Sequence, residues 1–87
     1  MAVRNMMEEI VAKVLRELAQ QRPEVARLSP SQRDDVMAIA LNSLPPRYTT
    51  TEKGEVLAKI QSRVQLESDA FRAVIDAYQK VVESPRA

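Results

Sequence analysis

The chain reads as an all-α protein, a single small domain of three to four helices, and three observations carry that reading. Apolar residues recur with a 3.6-residue period over most of the 87 positions. Helix-start and helix-stop residues stand where the periodic stretches begin and end. Only one glycine occurs, and the five prolines fall at the seams between periodic stretches.

The first helix is carried by Met7, Ile10, Val11, Val14, Leu15 and Leu18, spaced i, i+3, i+4, i+7, i+8 and i+11. That is one stripe, with Glu8, Glu9, Lys13, Arg16 and Glu17 on the other faces. Asn5 is placed to cap it, and the two carboxylates of the first turn sit where the helix dipole favours them. Pro23 ends this helix or lies outside it, and Glu24 to Leu28 has periodicity for a short turn only. The second main helix starts at Ser29, where an N-cap, Pro30 at the first helical position and Gln32 as capping-box partner coincide. Asp34 and Asp35 follow near the positive helix end. The run Val36 to Leu41 is apolar on nearly every side, which predicts a helix covered from several directions. A short strand is the rival reading, and two alanines with the upstream cap favour helix. Pro45-Pro46 stops it after Leu44, because proline excludes its predecessor from the α region.

Arg47 to Thr51 has no helical pattern and is dense in polar groups. From Glu52 helix resumes, with Leu57, Ile60, Val64, Phe71, Ile75, Tyr78 and Val82 in one phase, joined by Val56, Val74 and Val81. The stripe lapses only around Glu67-Ser68-Asp69. Residues 55–84 therefore form one helix of about 30 residues, roughly 45 Å long, or two helices broken near Leu66–Asp69 with Ser68 as cap. Two helices of about 15 residues cannot cover the long version, and a symmetric homodimer is the common solution for such a surface.

Composition excludes several function classes. With no cysteine and no histidine, the chain lacks thiol nucleophiles, thiolate metal sites, the commonest general base and the commonest transition-metal ligand. No cluster of carboxylates, lysines and hydroxyls replaces them, so an enzyme is not expected and no cofactor is. A net charge of +1 gives no long-range field, which disfavours a basic-patch nucleic-acid binder. No run of 18 apolar residues spans a membrane, and Glu8-Glu9 interrupts any secretion-signal pattern at the start, so a soluble cytoplasmic protein is expected.

The central block runs Asp35-Val36, Ala40-Leu41-Asn42, Leu44-Pro45-Pro46, Tyr48 and Glu52-Lys53-Gly54. With Asn5, Met7, Glu8 and Val11 at the start and Val81-Val82 and Ser84-Pro85 at the end, it resembles the late competence development protein ComFB family over nearly the whole chain. The resemblance implies a small bacterial helical homodimer linked to natural competence and to cell-size or motility control. In members of the cyanobacterial kind it also implies a receptor for cyclic di-GMP and in some cases cyclic di-AMP. Some members carry a cysteine cluster resembling a zinc site between the first two main helices. Here that linker, residues 20–29, has no cysteine, so zinc is not carried over.

A cyclic dinucleotide presents two phosphates and two flat bases, and the segment Pro45–Gly54 holds groups that match them. Arg47 and Tyr48 offer stacking surfaces, Thr49, Thr50 and Thr51 hydroxyls, Lys53 a charge, and the helix start near Thr51–Glu55 free N–H groups. Gly54 permits close backbone approach at a cost of roughly 1 kcal/mol relative to alanine in a helix. Asn42, at the end of an apolar helix, is expected to be a buried polar group that orients the loop or touches ligand. Structural roles compete at each position: Thr49 with Glu52 fits a capping box, Thr51 an N-cap, and Tyr48 a core anchor. Asp34-Asp35 reads as helix-start electrostatics, and the scattered arginines as solvated faces. The expected function is a non-enzymatic cyclic-dinucleotide receptor, cyclic di-GMP being the first candidate, that presents a dimer surface to a downstream protein. The alternative is a helical dimer that docks on proteins and takes no small ligand.

Overall fold

A computed structural model describes residues 3–49 and 53–83, with side chains for 3–48 and 63–83. Four helices are present among the described residues: α1 (Met6–Gln21), α2 (Pro23–Ala26), α3 (Pro30–Ser43) and α4 (Lys53–Glu83). The protein is all-α. Its extended backbone, among the described residues, consists of two short segments, β1 (Arg4–Asn5) and β2 (Tyr48–Thr49), paired antiparallel with Arg4 opposite Thr49 and Asn5 opposite Tyr48.

The caps of α1 and α3 form as the sequence predicts. Asn5 has extended backbone and its side chain accepts from the Met7 N–H at 3.1 Å. At α3 the reciprocal box is complete: Ser29 Oγ accepts from the Gln32 N–H at 3.1 Å, and Gln32 Oε1 accepts from the Ser29 N–H at 2.9 Å. Asp34 and Asp35 are a correction to the helix-start reading, since they lie in the second turn of a helix that begins at Pro30. Leu44 takes extended backbone (φ −110°, ψ 141°) before the two prolines, and α3 ends at Ser43. Pro23 is the first residue of α2, whose Val25 is buried with the neighbouring Leu28.

The core is formed where α1 and α3 both pack on α4. From α1 come Met6, Met7, Ile10, Val11, Val14, Leu15 and Leu18, the stripe the spacing predicts. α3 differs from expectation. Only Val36 and Ala40 are buried and Ala38 is exposed, while Met37, Ile39 and Leu41 are half-buried against the core on either side of them, so the cover is full on one side and partial on its flanks.

α4 is a single unbroken helix through Leu66–Asp69. At 31 residues it runs nearly the whole length of a molecule 43 × 24 × 18 Å across. Its core face is Leu66, Ala70, Ala73, Val74, Ala77 and Val81. The stripe expected from the larger apolar residues lies about 120° around the helix. In it Val64 is 84% exposed, Phe71 43% and Val82 42%, with Ile75 and Tyr78 half-buried. Alanines let neighbouring helix axes come close, so the small-residue face, not the bulky one, faces α1 and α3. A charged tie spans α1 and α4: Lys13 Nζ and Arg63 Nε both donate to Glu67 Oε2, at 3.1 and 2.9 Å.

Candidate functional site

The polar loop after α3 is held by the start of α1. Asn5 Oδ1 accepts from the Arg47 N–H at 2.9 Å while also capping α1. The Met6 N–H, an orphan donor of the first helical turn, donates to the Arg47 carbonyl at 2.7 Å and prolongs the β1–β2 ladder. Both backbone polar groups of Arg47 are thus fixed by residues more than forty positions away. Beside the ladder, Arg4 bridges Glu9 at 2.8 Å.

Tyr48, the next residue, is 69% exposed. A core anchor would be covered, so the ring is a surface group on a short paired strand that lies against α4. Arg47 is half-buried, and among the described residues no carboxylate bridges its guanidinium. The backbone of Thr49 pairs with Arg4, while its side chain, together with Thr50, Thr51 and Glu52 and so the two threonine-cap readings, lies outside the described residues. Lys53 opens α4 and Gly54 follows within its first turn; their side chains and backbone approach to a ligand are likewise outside what is described.

Asn42 corrects the expectation of a buried polar group. It is exposed, in the last turn of α3. At 100° per residue it projects about 160° from Ala40 and about 120° from Val36, away from the core-facing side of the helix. A half-buried Arg47 and an exposed Tyr48 are therefore adjacent, Thr49 completes β2 with Tyr48, and Asn42 is a surface group on the preceding helix. The sequence reading missed Asn5 as the residue that holds the loop. Its capping role was legible, but the second bond was not, because nothing local marks a contact across 42 positions.

A second surface feature is an open groove of about 340 Å³ between the C-terminal half of α1 and the middle of α4. Val14, Leu18, Val64 and Phe71 form its apolar lining, and Glu17, Gln21, Glu67 and Ser68 its polar edge. The exposed stripe of α4 runs along this groove through Val64 and Phe71. Glu67 is held below the ordinary carboxylate range by hydrogen bonds from Arg63 and then Lys13, with their charges adding and partial desolvation opposing. Among the described residues no group of three His, Cys, Asp or Glu side chains could hold a metal ion, and no helix is long and apolar enough to cross a membrane.

Fold and loop together define a small all-helical domain built along one long C-terminal helix. The sequence profile of the late competence development protein ComFB family matches residues 4–85, and the chain belongs to that family. No curated protein and no solved structure gives a significant match.

Proposed function

We propose that the chain is a non-enzymatic receptor for a cyclic dinucleotide, cyclic di-GMP or cyclic di-AMP, working in the cytoplasm as a signalling homodimer. The observation that carries this reading is Tyr48, a large ring left 69% exposed beside Arg47 on a clamped strand. Exposing an aromatic ring forgoes the burial that makes it worth having, and a planar cation next to it matches flat bases and phosphate oxygens. Pre-ordering the Arg47 backbone lowers the entropy lost on binding. α4 begins at Lys53, so a lysine and the first-turn N–H groups of a long helix follow closely along the chain. Membership of the family supports the same reading, given what resemblance to its cyanobacterial members implies. Isothermal titration calorimetry with ligand at about 100 μM is expected to give heat with at least one of the two nucleotides. No heat with either refutes the reading.

The dimer is supported by the second stripe of α4. Val64, Phe71, Ile75, Tyr78 and Val82 fall within about 60° of one another and are left wholly or partly open by this chain. A two-fold symmetric pair would cover the stripe with itself. Ligand at the loop would then bias the surface the pair offers to a downstream protein.

The same stripe, with its groove, favours a second reading: a docking module for another protein that takes no small ligand. Thermal unfolding separates the two. A nucleotide at 100 times its dissociation constant stabilises a receptor by about 2.7 kcal/mol and a ligand-free module not at all.

A further inference from the structure

We infer that Asn5 is the positioning residue of the candidate loop, joining the Arg47–Tyr48 strand and the first turn of α1 into one unit that opens and closes together. The inference takes its ligand from the receptor proposal above, while the clamp rests on geometry alone. One carboxamide oxygen, Asn5 Oδ1, accepts from two N–H groups, Met7 at 3.1 Å and Arg47 at 2.9 Å. A carbonyl oxygen has two lone pairs, so its acceptor capacity is filled by one partner from each element. The return bond runs from the Met6 N–H to the Arg47 carbonyl at 2.7 Å.

Two consequences follow. Turning Arg47 away breaks its bond to Asn5 and takes from the first-turn Met6 N–H its acceptor, and fraying of α1 withdraws both partners from Arg47. Because Asn5 stands opposite Tyr48 in the ladder, the residue that caps α1 also pairs with the backbone of Tyr48. A ligand that holds the loop therefore protects the start of α1, and anything that steadies the start of α1 tightens the ligand, since coupling between two sites is reciprocal.

Amide hydrogen exchange on the full-length chain tests this. In the wild type, Met7 and Arg47 are expected to exchange with protection factors within about threefold of each other, as amides released by one opening do. A difference of about a hundredfold overturns the inference. N5A removes the shared acceptor, N5D keeps an oxygen in its place, and S29A removes the equivalent cap of α3, which has no bond to the loop. N5A is expected to speed Arg47 exchange by about tenfold or more, with N5D and S29A within about threefold of wild type. Cyclic di-GMP affinity is expected to fall by about tenfold or more in N5A and by less than about twofold in S29A, at similar losses of Tm. Arg47 exchange no faster in N5A than in S29A, or an equal affinity loss in the two, overturns the assignment. If the wild type binds neither cyclic di-GMP nor cyclic di-AMP, the receptor proposal fails and the exchange data decide the clamp by themselves.

Discussion

Val64 and Val74 lie on the same helix and are expected to respond in opposite ways to truncation. Val74 is 1% exposed, against 84% for Val64. V74A deletes two buried methylene equivalents at about 0.8 kcal/mol each. The cavity left behind raises the loss to about 2–3 kcal/mol, because closely packed neighbours relax only in part. The better helix propensity of alanine offsets about 0.5 kcal/mol, leaving a net cost of about 2 kcal/mol. In a domain of this size 1 kcal/mol moves Tm by about 4–8 °C, so V74A is expected to melt about 8–16 °C lower. V64A loses almost no burial and keeps the propensity gain, which predicts a Tm equal to or slightly above wild type. Circular-dichroism melting is the assay, at dilutions where Tm no longer changes with protein concentration, so that self-association does not contribute. A V64A loss as large as that of V74A refutes the reasoning, because the Val64 side of α4 would then face the core.

Three further outcomes are expected. F71E places a charge on the open stripe of α4 and is expected to leave the helical spectrum intact while abolishing dimers in analytical ultracentrifugation; dimers that persist would remove the stripe from the interface. R47A is expected to weaken cyclic-dinucleotide binding more than about tenfold by calorimetry with Tm nearly unchanged, because the clamp uses the Arg47 backbone and not its side chain. Arg63 and Lys13 depress the Glu67 pKa, so the pair energy is present above the unfolded carboxylate value of about 4.3 and is lost as the pH falls through the lower folded value. E67Q is accordingly expected to flatten that acid limb in urea titrations while costing less than about 1 kcal/mol at neutral pH, since both ion pairs are partly exposed.

The helices were legible because their signals are local. Ser29, Pro30 and Gln32 sit within four positions, and each does in the structure what its residue type predicts. The stripe of α1 was legible for a related reason: its apolar residues are large and all lie on one side. α4 misled because it carries two apolar faces, and size ranks them in the wrong order. Phe71, Ile75 and Tyr78 attract attention, whereas Ala70, Ala73 and Ala77 make the close approach to α1 and α3. In α3 the run from Val36 to Leu41 is apolar all round, so the pattern held no information about which side faces inward, and Asn42 could not be placed from it. At the candidate site, Arg47 and Tyr48 were legible as neighbours in a polar loop, with Tyr48 open between a ligand contact and a core anchor. The exposure of Tyr48 and the bond from Arg47 to Asn5 depend on how the chain returns to its own beginning, and no spacing rule encodes that.

The central claim is that the Arg47–Tyr48 loop receives a cyclic dinucleotide, and calorimetric titration of the folded full-length chain with cyclic di-GMP and cyclic di-AMP tests it most directly. Saturable heat is expected with at least one of them, reduced more than about tenfold in affinity by R47A. Absence of heat with both nucleotides, in protein whose helical spectrum and melting are intact, contradicts it.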